Sequence, residues 1–278
     1  MRVEAGAIEA YAATLPSASP PAPDLGGPDP ERRAAFSVTL DAINFGSGWF
    51  PTLRKPAGLS GFRTVEAGLS ARGPWTAAEL AAIRVDEVAA TFGQDPGHEL
   101  MALFARALRE LGERVGDEHS GAFLALARSG EGSAVALAER FAAWPMWRDV
   151  SAHDGEPVPL YKRAQLAAAD LVLQGLAPAD DLAALTLFAD NLVPHVLRLD
   201  GVLAVDPALV ERIECGELLE HGSPEEVELR ACAVHAVELL VAAHGSTTAA
   251  AVDNVLWNRG GGARYKAVPR HRARTTAY

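Results

Sequence analysis

Apolar residues recur every three to four positions along most of this chain, and that spacing predicts helices. The clearest helix spans His98–Val115. Leu100, Leu103, Phe104, Leu108, Leu111 and Val115 share one face, with Asp95 and Pro96 as N-cap and first helical residue. A second covers Ser133–Trp144, turning Leu137, Phe141 and Trp144 inward until Pro145 stops it. The run RDVSAHDGEPVPL predicts two short strands about an Asp154-Gly155 turn, and its prolines confine that hairpin to an edge. Further helices are predicted at residues 160–173, 193–200, 224–243 and 247–258. Ser223-Pro224-Glu225-Glu226 reads as a capping box opening the third of these.

The pattern implies a mainly α, bundle-like protein with one small β-hairpin near 148–160. Residues 1–30 read as a short helix followed by an arm, because PSASPPAPDLGGPDP (16–30) is too rich in Pro and Gly for a regular element. Residues 31–278 read as a single helical domain.

Composition narrows the function classes. A 278-residue chain that is 49% hydrophobic and 6% aromatic can bury a large core and favours helix over sheet. No stretch of eighteen apolar residues occurs, and the N-terminus carries acids where a signal peptide is apolar, so a cytoplasmic protein off the membrane is expected. Net charge is −11, whereas gripping long nucleic acid calls for a basic excess; the balance favours a small ligand. Cys215 and Cys232 form neither a disulfide framework nor a zinc spacing and read as small core residues. No H-E-x-x-H or i, i+4 histidine pair occurs, so neither metal nor cofactor is expected. A monomer is the default expectation.

Several polar residues stand out against this background. Asp190 precedes a helix that Pro194 opens and Gly201 closes, and it reads either as a cap or as an active carboxylate held beside the helix dipole. Asp253 and Trp257 are four apart, hence on one helical face, and could seat a planar base. Lys162 and Arg163 read as a solvated pair or as a phosphate clamp. Glu226 and Arg230, at i, i+4, read as support for the site. The tail is basic, and His271 with Arg272 or Arg274 could fold back onto a phosphate.

Five segments in order carry a resemblance: LDAINF (40–45), YKRAQ (161–165), FADNLVPHVL (188–197), EEVELR (225–230) and VDNVLW (252–257) followed by PRHRARTTAY (269–278). Together they resemble the queuosine salvage family across roughly 35–278, thinly between about 46 and 95. The resemblance implies a helical catalytic domain similar to helix-hairpin-helix DNA glycosylases, acting on a nucleotide to cut the N-glycosidic bond of queuosine 5′-phosphate. It implies Asp190 as the catalytic carboxylate and Asp253 as a second acid for base recognition or proton handling. Phe188, Asn191, Trp257, Asn258, Lys162, Arg163, Asp41, Asn44, His271 and Arg272 become substrate-binding candidates. The family usually has a tyrosine at Asn191, a glutamine at His195 and an acid at Asn258. These departures leave open a different 7-deazapurine, another modified nucleotide, or a non-catalytic nucleotide- or tRNA-related binding protein of the same fold. A DNA glycosylase is opposed by the −11 charge.

Overall fold

The computed structural model describes residues 1–16 and 27–278 and is mainly helical. Most of the predicted Pro/Gly-rich arm (17–26) lies outside the described residues. The helices are α1 (Ala5–Ala12), α2 (Pro30–Ala42), α3 (Gly61–Arg72), α4 (Ala77–Ala81), α5 (Val85–Thr91), α6 (Glu99–His119) and α7 (Phe123–Arg128). They continue with α8 (Ala134–Ala142), α9 (Lys162–Leu173), α10 (Val193–Leu199), α11 (Pro207–Glu214), α12 (Pro224–His244), α13 (Ala249–Gly260) and α14 (Ala263–Lys266). Two antiparallel pairs complete the fold: β1 (Arg2–Val3) with β4 (Leu203–Ala204), and the hairpin β2 (Val150–His153) with β3 (Glu156–Pro159). Asp154 and Gly155 both take positive φ at the hairpin turn, as an Asp-Gly turn of the primed type requires.

The apolar stripes assemble two cores. One gathers side chains from α2 and the turn after it, α6, α8 and α9, including Val38, Phe45, Phe104, Leu108, Phe141 and Leu171. The other joins α1, α10, α12 and α13 through Ile8, Val196, Val237 and Leu256. A buried ion pair stands where they meet. Arg230 of α12 donates to both carboxylate oxygens of Asp149, at 3.0 and 2.5 Å, and its Nε donates to the carbonyl of Ala189 at 2.9 Å. Asp149 also accepts the Lys162 amide at 3.0 Å. One carboxylate thus fastens the start of α9, while its guanidinium partner holds the residue next to Asp190. Burying both charges is tolerable because the pair is bidentate and its spare donor is used.

Several expectations need correction. His98, not Asp95, caps α6, its Nδ1 accepting from the Leu100 amide at 3.2 Å. The capping box at Ser223 is half formed: its hydroxyl accepts from the Glu226 amide, but the Glu226 carboxylate turns to the Gly222 amide at 2.9 Å. Lys162 and Arg163 are buried and not a solvated pair, because α9 is packed on nearly all sides and has no solvated face there. Cys215 is exposed at the end of α11 and Cys232 is half-buried, so neither is a core residue. Residues 46–95, where the resemblance is thin, carry three α-helices.

Candidate active site

Asp190 ends the irregular chain leading into α10. Its Oδ1 accepts from the amides of Leu192 at 2.7 Å and Val193 at 3.1 Å, two N–H groups that a helix start leaves unpaired. It therefore does cap the helix. It also lines a cavity from its other side. Gly260 makes this possible, since a Cβ there would stand 2.7 Å from Leu192, the residue whose amide Asp190 holds.

The cavity is a cleft of two adjoining lobes of about 210 Å³ each. Asn44, Phe62, Arg63, Lys162, Asp190, Trp257 and Asn258 belong to both and form its waist. The lobes differ in charge. Among the described residues, one adds Lys266 and Arg270 and no acid, and the other adds Asp41, Glu66, Asp170 and Asp253 and no cation. Their unpartnered atoms follow the same division. In the basic lobe the Arg270 Nε and Ser47 Oγ are buried without a hydrogen bond among the described residues; in the acidic lobe the same holds for Asp41 Oδ2 and Asp253 Oδ1. Buried polar atoms left unpaired in a native fold call for a ligand or water.

Burial lifts the carboxyl of Asp253 well above its ordinary range, and the nearby charge of Asp190 adds to the lift against Lys162. Asp41 is raised in the same direction, by burial first and by Asp170 second. Asp170 rises to about 7 through loss of solvation, with Lys162 opposing. Lys162 donates from Nζ to the Asn44 carbonyl at 2.9 Å; burial lowers its pKa despite the pull of Asp190 and Asp41. Trp257 packs edge-on against Phe62, with ring centres 5.6 Å apart, and the Arg63 guanidinium lies 5.4 Å from the indole.

Nine of the twelve candidate residues line this cleft: Asp190, Asp253, Phe188, Asn191, Trp257, Asn258, Lys162, Asp41 and Asn44. Three do not. Arg163 is spent inside the core, donating to the carbonyls of Ala42 and Met146 beneath Phe45 and Trp147. His271 is buried beside Tyr278, and burial holds its imidazole down at about 3, so it carries no charge for a phosphate. Arg272 uses its backbone to pair with Leu218 and Leu219 and lines neither lobe. The basic lobe is instead supplied by Lys266 and Arg270, two tail residues that the sequence reading did not single out. Phe62, Arg63 and Asp170 were also missed. Ser60, which accepts from the Arg63 amide at 3.2 Å, was a legible cap signal for the helix that carries two of them.

A family model described as "Queuosine salvage protein" matches residues 27–278. The chain belongs to this family. It is 39% identical over 270 residues to a Sphaerobacter thermophilus protein named queuosine 5′-phosphate N-glycosylase/hydrolase, covering 89% of this chain and 82% of that one. A Bos taurus protein of the same name is 33% identical over 163 residues, 54% of this chain and 48% of its own length. A Dictyostelium discoideum protein, again of that name, is 33% identical over 183 residues, 62% and 57% of the two chains. In this chain the five segments that carry the resemblance supply Asp41, Lys162, Asp190 and Asp253 to one cleft and the Asp149-binding Arg230 behind it.

Proposed function

We propose that the protein hydrolyses the N-glycosidic bond of queuosine 5′-phosphate, releasing queuine and ribose 5-phosphate. The carrying observation is Asp190 at the waist of a cleft with bare donors on one side and bare acceptors on the other. A nucleotide has the matching polarity. In this reading the phosphate lies toward Lys266, Arg270 and Ser47, the ribose at the waist, and the base toward Phe188, Trp257 and Asp253.

The bond from C1′ to the base breaks with its electron pair leaving on the base, so positive charge develops on the ribose. Asp190, fixed through one oxygen by two amides, presents its other oxygen to that charge without having to reorganise. A 7-deazapurine has carbon where an ordinary purine accepts a proton at N7. Asp253, whose carboxyl is raised by burial toward its protonated form, serves instead and donates a hydrogen bond to a heteroatom of the departing base. Water gives its hydroxyl to C1′ through Asp190, and its proton ends on the released base.

We take residues 31–278 as a single catalytic domain with 1–30 appended, a scaffold similar to helix-hairpin-helix DNA glycosylases, and the protein as a cytoplasmic monomer. The mainly helical fold and the cleft walls drawn from both apolar cores support the first part. Among the described residues no helix is long and apolar enough to cross a membrane. Two of the departures that favoured a different base are used within the fold: Asn191 donates to the His271 carbonyl at 2.9 Å, and His195 Nε2 to the Tyr265 carbonyl at 3.0 Å.

Incubation of the purified protein with queuosine 5′-phosphate, queuosine and guanosine 5′-phosphate, followed by chromatography of free base, tests the reading. Queuine released from the first and no guanine from the last is expected. No base from any of them would rule out hydrolysis.

A further inference from the structure

The chain from Leu185 to Asp190 belongs to no helix or strand, yet it carries Phe188 and Asp190 to the cleft. Side chains grip it at two points. Behind Ala189 stands Arg230, which the Asp149 carboxylate links to the Lys162 amide. The second point is Thr186. The Gln165 carboxamide of α9 accepts from the Thr186 amide at 2.8 Å and donates to the Thr186 hydroxyl at 3.0 Å. The same nitrogen donates to the Leu160 carbonyl at 2.9 Å. Both staples therefore run between residues 160–162 and residues 186–189, one on each side of Phe188.

Gln165 is 9% exposed and lines neither lobe of the cleft. A leucine would fill such a site without needing partners. A buried carboxamide is tolerated because its nitrogen meets two acceptors and its oxygen a donor. The consequence falls on the cleft. Lys162 lies two residues after Leu160, and Asp190 four after Thr186; among the charges acting on the Lys162 ammonium, that of Asp190 is the largest. The Phe188 amide in turn acts on the Asp253 carboxyl, opposing the lift in its pKa.

We propose that Gln165 is a positioning residue of the reaction: by gripping Thr186 it fixes the segment bearing Phe188 and Asp190 relative to Lys162. This rests on the N-glycosidase reading above. Gln165 touches no substrate. Its removal therefore alters how the bound nucleotide meets Asp190, and leaves the basic lobe that holds the phosphate as it was.

The test is the kinetics of Gln165→Met and Thr186→Val on queuosine 5′-phosphate, measured well below each melting temperature and normalised to folded protein by circular dichroism. Methionine keeps the length of the side chain and loses every bond. Valine keeps the backbone amide for Gln165 and loses only the hydroxyl. In Gln165→Met, kcat is expected to fall by about tenfold or more with KM close to wild type, the mark of a misplaced reacting group. Thr186→Val is expected to lose about threefold in kcat, the worth of a neutral hydrogen bond. In the double variant it costs nothing further, because both changes act through one contact.

Wild-type kcat in folded Gln165→Met, or a rise in KM as large as the fall in kcat, overturns the positioning role whatever the melting temperature shows. Losses that multiply in the double variant overturn the link through Thr186. If Gln165→Met does not fold, Thr186→Val decides alone, and wild-type kcat there overturns the role. Each of these results leaves the hydrolase standing. Release of no base by wild type overturns both.

Discussion

Asp253 of α13 lies beside the carboxylate of Asp190 at the head of α10, and after burial that neighbour is the largest force raising its pKa. Two acids drawn from different helices thereby become unlike: one is anchored on backbone amides, and the other has its pKa raised by burial and by that neighbour. Acid and base roles can be divided between chemically identical side chains in just this way.

Asp190→Asn is expected to lower kcat for queuosine 5′-phosphate by about 10²–10³-fold, the usual loss when one preorganised electrostatic contact to a transition state is removed. Asparagine keeps an oxygen for the Leu192 and Val193 amides, so the cap should persist and the melting temperature change little. Single-turnover kinetics together with calorimetric binding of the nucleotide separate lost chemistry from lost affinity. Full turnover in this variant would remove Asp190 from the reaction.

Arg270→Gln tests the orientation of the substrate. Its Nε is buried and bare in the basic lobe. The variant should raise KM for queuosine 5′-phosphate by about tenfold or more while changing KM for the unphosphorylated nucleoside far less, because only the former supplies an anion for a charge-assisted bond. Equal effects on both substrates would place the phosphate elsewhere.

Arg230→Met should be costly although Arg230 touches no ligand. It leaves Asp149 buried without its cation and releases the Ala189 carbonyl. Breaking such a pair from one side costs about 3–5 kcal/mol. Chemical denaturation should show a loss of that order, and kcat should fall too, because Ala189 sets the position of Asp190. A variant as stable as wild type would mean that the pair contributes nothing to the junction between the cores.

Asp170 gives a pH signature of stability. Its folded pKa of about 7 stands above the unfolded value of 3.8, so folding takes up a proton between those limits. The contribution of this group is most favourable below pH 4 and is lost as pH rises toward 7. Asp170→Asn does not titrate. The melting temperature of the variant relative to wild type should therefore climb from pH 4 to 7 and level off above. A difference independent of pH would show that the carboxyl is not held protonated.

Periodicity alone determined that the chain is helical, where most of the long helices lie, and that Asp154-Gly155 turns a hairpin, because these depend on neighbours three or four residues away or on local backbone preference. The ordered segments also exposed Asp41, Lys162, Asp190 and Asp253 as unusual. What each one faces was decided only by packing. Lys162 and Arg163 are adjacent in α9, yet one reaches the cleft and the other vanishes between Phe45 and Trp147, since consecutive helical positions point about 100° apart. The tail likewise looked uniformly basic. Folded, it buries a neutral His271 and sends Arg270 to the cleft, because which of two neighbours meets the cavity depends on contacts with Asn191 and Leu219, far away along the chain. The division of the cleft into donor and acceptor lobes is wholly tertiary: α2, α3, α9 and α13 each bring their acids from separate parts of the sequence, and only their common packing makes one field of them.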